Sequence, residues 1–153
     1  MNQPTSRGRR QFVLGVATLV TGAALAGCLG NGDDDDGNSA NDIDDHLSDA
    51  NGYDGTIEDL TGETAVTIGV GDPQGGTNYM FQPVAAEIDA GTTVTWEWVD
   101  EVGHSVTHSN GNDFDSGIQE EFTFEHTFED TGTYLYHCIP HRAIGHLGAL
   151  VVV

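Results

Sequence analysis

The residues with the most chemistry in this chain lie close together: Cys138, His141 and His146. The first two sit in Tyr134-Leu135-Tyr136-His137-Cys138-Ile139-Pro140-His141, and the third in the Gly145-His146-Leu147-Gly148 that follows. His104 stands upstream in a second turn, Asp100-Glu101-Val102-Gly103-His104-Ser105-Val106. One soft thiolate beside two or three imidazoles suits copper or zinc. A His-Cys-His set with one weak extra ligand is the pattern of electron-transfer copper, whereas Cys plus three His also makes a tetrahedral zinc site. His104, Cys138 and His141 are therefore expected roughly trigonal around copper, with a fourth group on the axis.

Cysteine usage strengthens this reading. The chain has two cysteines. Cys28 ends Leu25-Ala26-Gly27-Cys28, after a run of apolar and small residues from Phe12 that opens with Arg9-Arg10-Gln11-Phe12-Val13-Leu14. A charged start, a short apolar run and small residues before a cysteine resemble a twin-arginine export signal closed by a lipobox. The run is short for a membrane-crossing helix. The expected organisation is a signal peptide over 1–27, a lipidated acidic flexible linker over 28–52 and one domain over 53–153. With lipid on Cys28, Cys138 has no disulfide partner, and ligation of a metal would protect its thiol outside the cell.

The charge balance excludes one class of partner. There are 25 acidic residues, four arginines and no lysine, for a net charge of −21. A chain starting at Cys28 loses three arginines and no acidic residue, which takes the charge to −24. Nucleic acid is excluded as a partner, because binding a phosphate backbone relies on Lys and Arg. An acid-rich, lysine-free surface suits work in concentrated salt, where repulsion is screened within a few ångström.

The elements that must position the donors are strands. Ala65–Val70 alternates in polarity, and Asp72-Pro73-Gln74-Gly75-Gly76 breaks it. Tyr79–Phe81 and Val84–Ile88 flank Pro83, which favours an edge or a bend. Thr92–Val99 puts Val94, Trp96 and Trp98 on one face, as a central core strand would. Phe122, Phe124, His126 and Phe128 share a parity, and His126 reads as a half-buried, hydrogen-bonded histidine rather than a ligand. From Gly132 a strand carries Tyr134, Tyr136 and Cys138 on one face and Leu135 and His137 on the other, and Leu147–Val153 closes the chain. The fold class is all-β, an antiparallel β-sandwich of six to eight strands whose end loops gather the donors. Residues 29–52, with Asp33-Asp34-Asp35-Asp36, are too polar to order themselves beyond a short helical turn around Asp42 to Ala50, so the segment reads as a tether and His46 is expected to be solvated. His108, in a polar turn, is expected to be solvated too.

From Tyr53 to Val153 the chain resembles the small blue-copper proteins, and most of all the halocyanins of salt-loving archaea, relatives of plastocyanin. The resemblance rests on Asn51-Gly52-Tyr53-Asp54-Gly55, Phe81-Gln82-Pro83, Ala90-Gly91-Thr92-Thr93-Val94-Thr95-Trp96, Gly103-His104-Ser105-Val106, Phe114-Asp115-Ser116-Gly117, Thr131-Gly132-Thr133-Tyr134 and Cys138-Ile139-Pro140-His141. It implies a Greek-key, cupredoxin-like sandwich with one copper held by His104, Cys138 and His141. It also implies single electrons carried between membrane-bound redox partners, at the outer face of the cell membrane, by a protein that is not an enzyme. A monomer is expected.

Two departures stand out. His146 occupies the place of the family's axial methionine, eight residues after the cysteine, and Met80 in an early strand is a poor substitute. Ser105 replaces the usual asparagine after the first histidine, yet its hydroxyl can still tie the two loops. If His146 ligates, a strong donor favours Cu(II), weakens the copper–thiolate bond and lowers the potential. His137, beside Cys138 but of opposite parity, is a candidate for the electron path, or for a second metal if the protein is instead a copper enzyme. A metal site without redox work is the remaining alternative. Arg142, the one cation expected after export, reads as an exposed side chain.

Overall fold

The computed structural model describes residues 38–153. The export signal, Cys28 and the run of four aspartates lie outside the described residues. Among the described residues nine strands form two sheets: β1 (Glu58–Asp59), β2 (Ala65–Gly71), β3 (Met80–Gln82), β4 (Ala85–Ile88), β5 (Thr92–Trp98), β6 (Thr107–His108), β7 (Thr123–Phe128), β8 (Gly132–His137) and β9 (Leu147–Val152). One sheet runs β1-β4-β9-β8-β6 and the other β3-β2-β5-β7. Between them lies the core of Ile68, Val70, Phe81, Ile88, Val94, Trp96, Phe128, Tyr136 and Leu150.

The sheets are mixed, which corrects the expectation of an antiparallel sandwich. β2 pairs with β5 in parallel, and β1–β4 and β4–β9 are parallel as well. Parallel neighbours need a crossover between them. Here the crossover passes through the opposite sheet, as β3 and β4 separate β2 from β5, so no helix is required. The alternation of Val94, Trp96 and Trp98 does face the core, and β5 sits between β2 and β7. Pro83 falls where the chain leaves edge strand β3 for the other sheet.

A second correction concerns the acidic segment. Asn38–Leu47 is a helix, α1, within the stretch expected to be flexible. Ile43 and Leu47, four residues apart on one face, are each 1% exposed. They pack with Val84, Ala85, Leu147 and Ala149 on the outer face of the five-stranded sheet. Burying each contributes about 1.5–3 kcal/mol, enough to order a segment that composition alone marks as polar. β9 is apolar on both parities for this reason: Leu147 and Ala149 face α1, while Leu150 and Val152 face the inner core.

Three histidines differ from expectation. His46 is not left to solvent, because its Nε2 lies 3.0 Å from the Tyr136 carbonyl oxygen. His108 is buried, lies flat on Phe114 at 4.7 Å and pairs with Asp113 at 3.0 Å. The polar residues around it in sequence gave no sign of the aromatic ring beneath. His126 is half-buried as expected, but its contacts are with the rings of Phe114 and Phe128.

Candidate metal centre

Two connections meet at one end of the sandwich. The first follows β5 and carries His104, whose backbone pairs with Gln119. The second leaves β8, turns through a 3-10 segment at Ile139–Ile144 and enters β9. Pro140 stands in the first turn of that segment, and Gly145 ends it at φ +91°, a left-handed value that glycine adopts without strain. Cys138 and His146 stand at the two ends of this turn, joined by a Cys138 N–H to His146 carbonyl bond of 3.0 Å. His141 lies within it. Ser105 joins the two connections: its Oγ accepts the Ile139 N–H at 2.8 Å, and its own N–H points to Cys138 Sγ at 3.4 Å. The hydroxyl at this position thus ties the loops, as the sequence suggested.

Four donor atoms converge here. Those of His104, Cys138, His141 and His146 all lie within 4.8 Å of one another, the one such group among the described residues. His104 Nδ1 is 3.1 Å from His141 Nδ1, and Cys138 Sγ is 3.7 and 3.5 Å from those two atoms. Bonds of about 2.0 Å to nitrogen and about 2.3 Å to sulfur, opened to about 100–120°, reproduce these separations. His104, Cys138 and His146 are fully buried and His141 partly so.

His146 supplies the sharpest test of fit. Both its ring nitrogens are buried and neither makes a hydrogen bond of good geometry among the described residues, the Met80 carbonyl being the one main-chain acceptor that the ring feels. A buried polar atom left without a partner costs about 1–3 kcal/mol, and a metal ion removes that cost at one nitrogen. Burial, then the rings of His104 and His141, push His146 down to about pKa 3. Burial also lowers His104, against the pull of Asp100, and His141, with His104 adding to the effect. The imidazoles are therefore neutral near pH 7, the form that binds metal. Burial raises the Cys138 thiol, opposed by the Ser105 and His141 N–H groups, so that a cation must complete its ionisation.

Comparison with known proteins supplies the metal. The model of the copper-binding proteins of the plastocyanin/azurin family matches residues 68–153. A halocyanin of Natronomonas pharaonis is 43% identical over 161 residues, covering 94% of this chain and 96% of its own. The chain belongs to the plastocyanin/azurin family of copper-binding proteins. Among solved structures, a purple cupredoxin from Nitrosopumilus maritimus is 31% identical, with a TM-score of 0.49 over 57% of this chain and 99% of that one. Oxidised plastocyanin from Dryopteris crassirhizoma is 23% identical, with the same TM-score and the same coverage. The family's cofactor is copper, and the cluster of one cysteine and three histidines fits a single copper site.

Around this cluster of a plastocyanin/azurin relative, several groups escaped the sequence reading. Asp100 Oδ1 lies 2.8 Å from His104 Nε2, which turns Nδ1 of that ring toward the thiol. The same carboxylate accepts the N–H groups of Asp72 at 2.7 Å and Val102 at 3.0 Å. A side chain at Gly71 would run into it. Tyr79 touches three rings, with centroids 4.2 Å from His141, 5.0 Å from His104 and 6.3 Å from His146. Phe81 lies 4.3 Å from His146 on the inner side. Only the spacing of Asp100, four residues before His104 in the same turn, offered a signal. The sulfur of Met80 packs toward Gly52. His137, on the strand face opposite Cys138, has Nδ1 2.7 Å from Ser109 Oγ. Arg142 is exposed, as expected.

Proposed function

We propose that this chain is a mononuclear copper electron carrier, with one metal ion held by Cys138 Sγ and by ring nitrogens of His104, His141 and His146. The observation that carries this is the convergence of four mostly buried donors, with neither His146 nitrogen in a well-formed hydrogen bond. Copper supplies reversible one-electron cycling between Cu(I) and Cu(II) at such a site.

The protein's part is to hold the donors still. Asp100 orients His104, Ser105 braces the Cys138 turn, and the two connections rise from a rigid sandwich. Side chains that move little on a change of metal charge keep the barrier to electron transfer low. His141 is the one donor with partial exposure, so its ring is the shortest way from the buried thiolate to a docked partner. His137, next to Cys138 in the chain, is a second candidate route through the outer face. His146 in the fourth position is a stronger donor than a thioether and would lower the potential.

In this reading the partners are membrane-associated redox proteins. The chain works outside the membrane as a monomer, exported by the twin-arginine route and held by lipid on Cys28. The one-metal, non-enzymatic reading is preferred to a copper enzyme because His137 is turned away from Cys138 and hydrogen-bonded to Ser109.

Absorption and paramagnetic-resonance spectra of the Cu(II) protein test this. The expected result is one copper per chain with thiolate-to-copper charge transfer. Two coppers per chain would favour the enzyme, and a site that retains zinc in the presence of copper would favour the non-redox alternative. His146→Met should raise the potential by about a hundred millivolts and strengthen the thiolate band. An unchanged potential and spectrum would remove His146 from the metal.

A further inference from the structure

The segment leaving α1 reaches the back of the donor turn. Asn51 Nδ2 donates to two carbonyls at once, that of Ile144 at 2.8 Å and that of Tyr79 at 2.9 Å. Both partners are acceptors, so the orientation of the amide is fixed by its surroundings. The Asn51 backbone N–H adds a third bond, to the Gly145 carbonyl, at 2.8 Å. Ile144 and Gly145 immediately precede His146. Tyr79 is the residue whose ring touches His104, His141 and His146. Gly145 is closed against the same segment from the other side, since a Cβ there would run into the Asp49 carbonyl and crowd Asn51. His46, at the end of α1, reaches the Tyr136 carbonyl two residues before Cys138.

We propose that Asn51 is a positioning residue of the metal centre, which sets where the His146 ring stands by clamping Ile144, Gly145 and Tyr79 together. A single amide spans the main chain before His146 and the main chain of the aromatic residue packed over the donor rings. Removing its two N–H donors frees the Ile144 and Tyr79 carbonyls to turn toward water. The C-terminal end of the 3-10 turn can then relax, and His146, which directly follows the clamped Ile144 and Gly145, is the donor that such a relaxation moves most. The other donors have separate anchors: Asp100 for His104, Ser105 for the Cys138 end of the turn, and the Cys138 carbonyl, which accepts the His141 N–H at 3.2 Å, for His141. The effect of Asn51 is therefore expected to fall on the fourth position. The proposal rests on the reading that His146 binds copper.

The test compares copper-loaded wild type with Asn51→Asp, which keeps the shape and loses both donors, and with Asn51→Ala. The readouts are the intensity ratio of the two thiolate-to-copper charge-transfer bands and the rate of copper transfer to a chelator. Both variants should shift the band ratio toward that of His146→Ala and speed copper transfer about tenfold. In the double variants with His146→Ala, the Asn51 substitution should add no further shift. If Asn51→Ala does not fold, Asn51→Asp alone decides. A folded variant that loses thermal stability but keeps the wild-type ratio and transfer rate overturns the proposal, as does an Asn51 effect that persists with His146 removed. If His146→Ala itself leaves the wild-type spectrum unchanged, it is the reading of His146 as a ligand that has failed, and the positioning role falls with it.

Discussion

Asp100 Oδ1 stands 2.8 Å from His104 Nε2, with both side chains almost fully buried. A carboxylate can only accept, so Nε2 carries the proton and Nδ1 presents its lone pair to the thiol of Cys138. This pair decides the tautomer of the first histidine and places a negative charge behind it. Such a partner makes an imidazole a better donor to a metal, and replacing one typically costs 10–100-fold in affinity.

Asp100→Asn should therefore weaken Cu(II) binding by about 10–100-fold. Cu(II) depends on the added negative charge more than Cu(I) does. The potential should rise by about 60 mV for every tenfold preferential loss of the oxidised form. Cyclic voltammetry with a Cu(II) competition assay checks this, and a fall in potential would contradict it.

Without metal, stability should depend on pH through the buried imidazoles. His146 has its folded value pushed down to about 3 from an unfolded 6.5. Between those values the unfolded chain binds a proton that the folded chain refuses, so stability is full above pH 6.5 and falls as pH falls toward 3. The whole window is worth on the order of 4–5 kcal/mol from this group, and about 2 kcal/mol is lost by pH 5. His104 and His141, lowered mainly by burial, act in the same direction. Urea midpoints of the metal-free protein at pH 7.5 and pH 5 measure the slope. His146→Met should flatten it by up to one proton, and an equal slope in both proteins would count against this account.

Leu47→Ala should cost about 2–5 kcal/mol, the usual range for a fully buried leucine. The residue is 1% exposed against the outer face of the five-stranded sheet. Were residues 38–52 only a tether, the substitution would cost nothing. Urea unfolding of copper-free protein separates the two outcomes.

Much of the strand pattern was legible in local periodicity. Val94, Trp96 and Trp98 alternate with polar residues because one face of β5 is buried, and that parity survives whatever the sheet connections are. Parallel pairing of β2 with β5 and of β4 with β9 was not legible, because it depends on which sheet the intervening chain visits. α1 was hidden for a related reason. Ile43 and Leu47 make a two-residue apolar stripe in an acidic stretch, too narrow to announce more than a short helical turn until β9 supplies a surface for it. The sign was at the other end of the chain, where β9 is apolar on both parities although a sheet with one solvated face should alternate.

Residue types and spacing alone set the chemistry of the site. One cysteine and three histidines define the donors, and donor type selects the class of metal through its softness. How those donors are held is a property of the folded chain. Tyr79, Asp100 and Asn51 come from a strand entry, a neighbouring turn and the segment after α1, and only folding puts them around one cluster. Hydrogen bonds and ring contacts act over a few ångström in space, whatever the separation along the chain. Residue identity therefore declares the ligands, and the packing of remote segments declares their geometry.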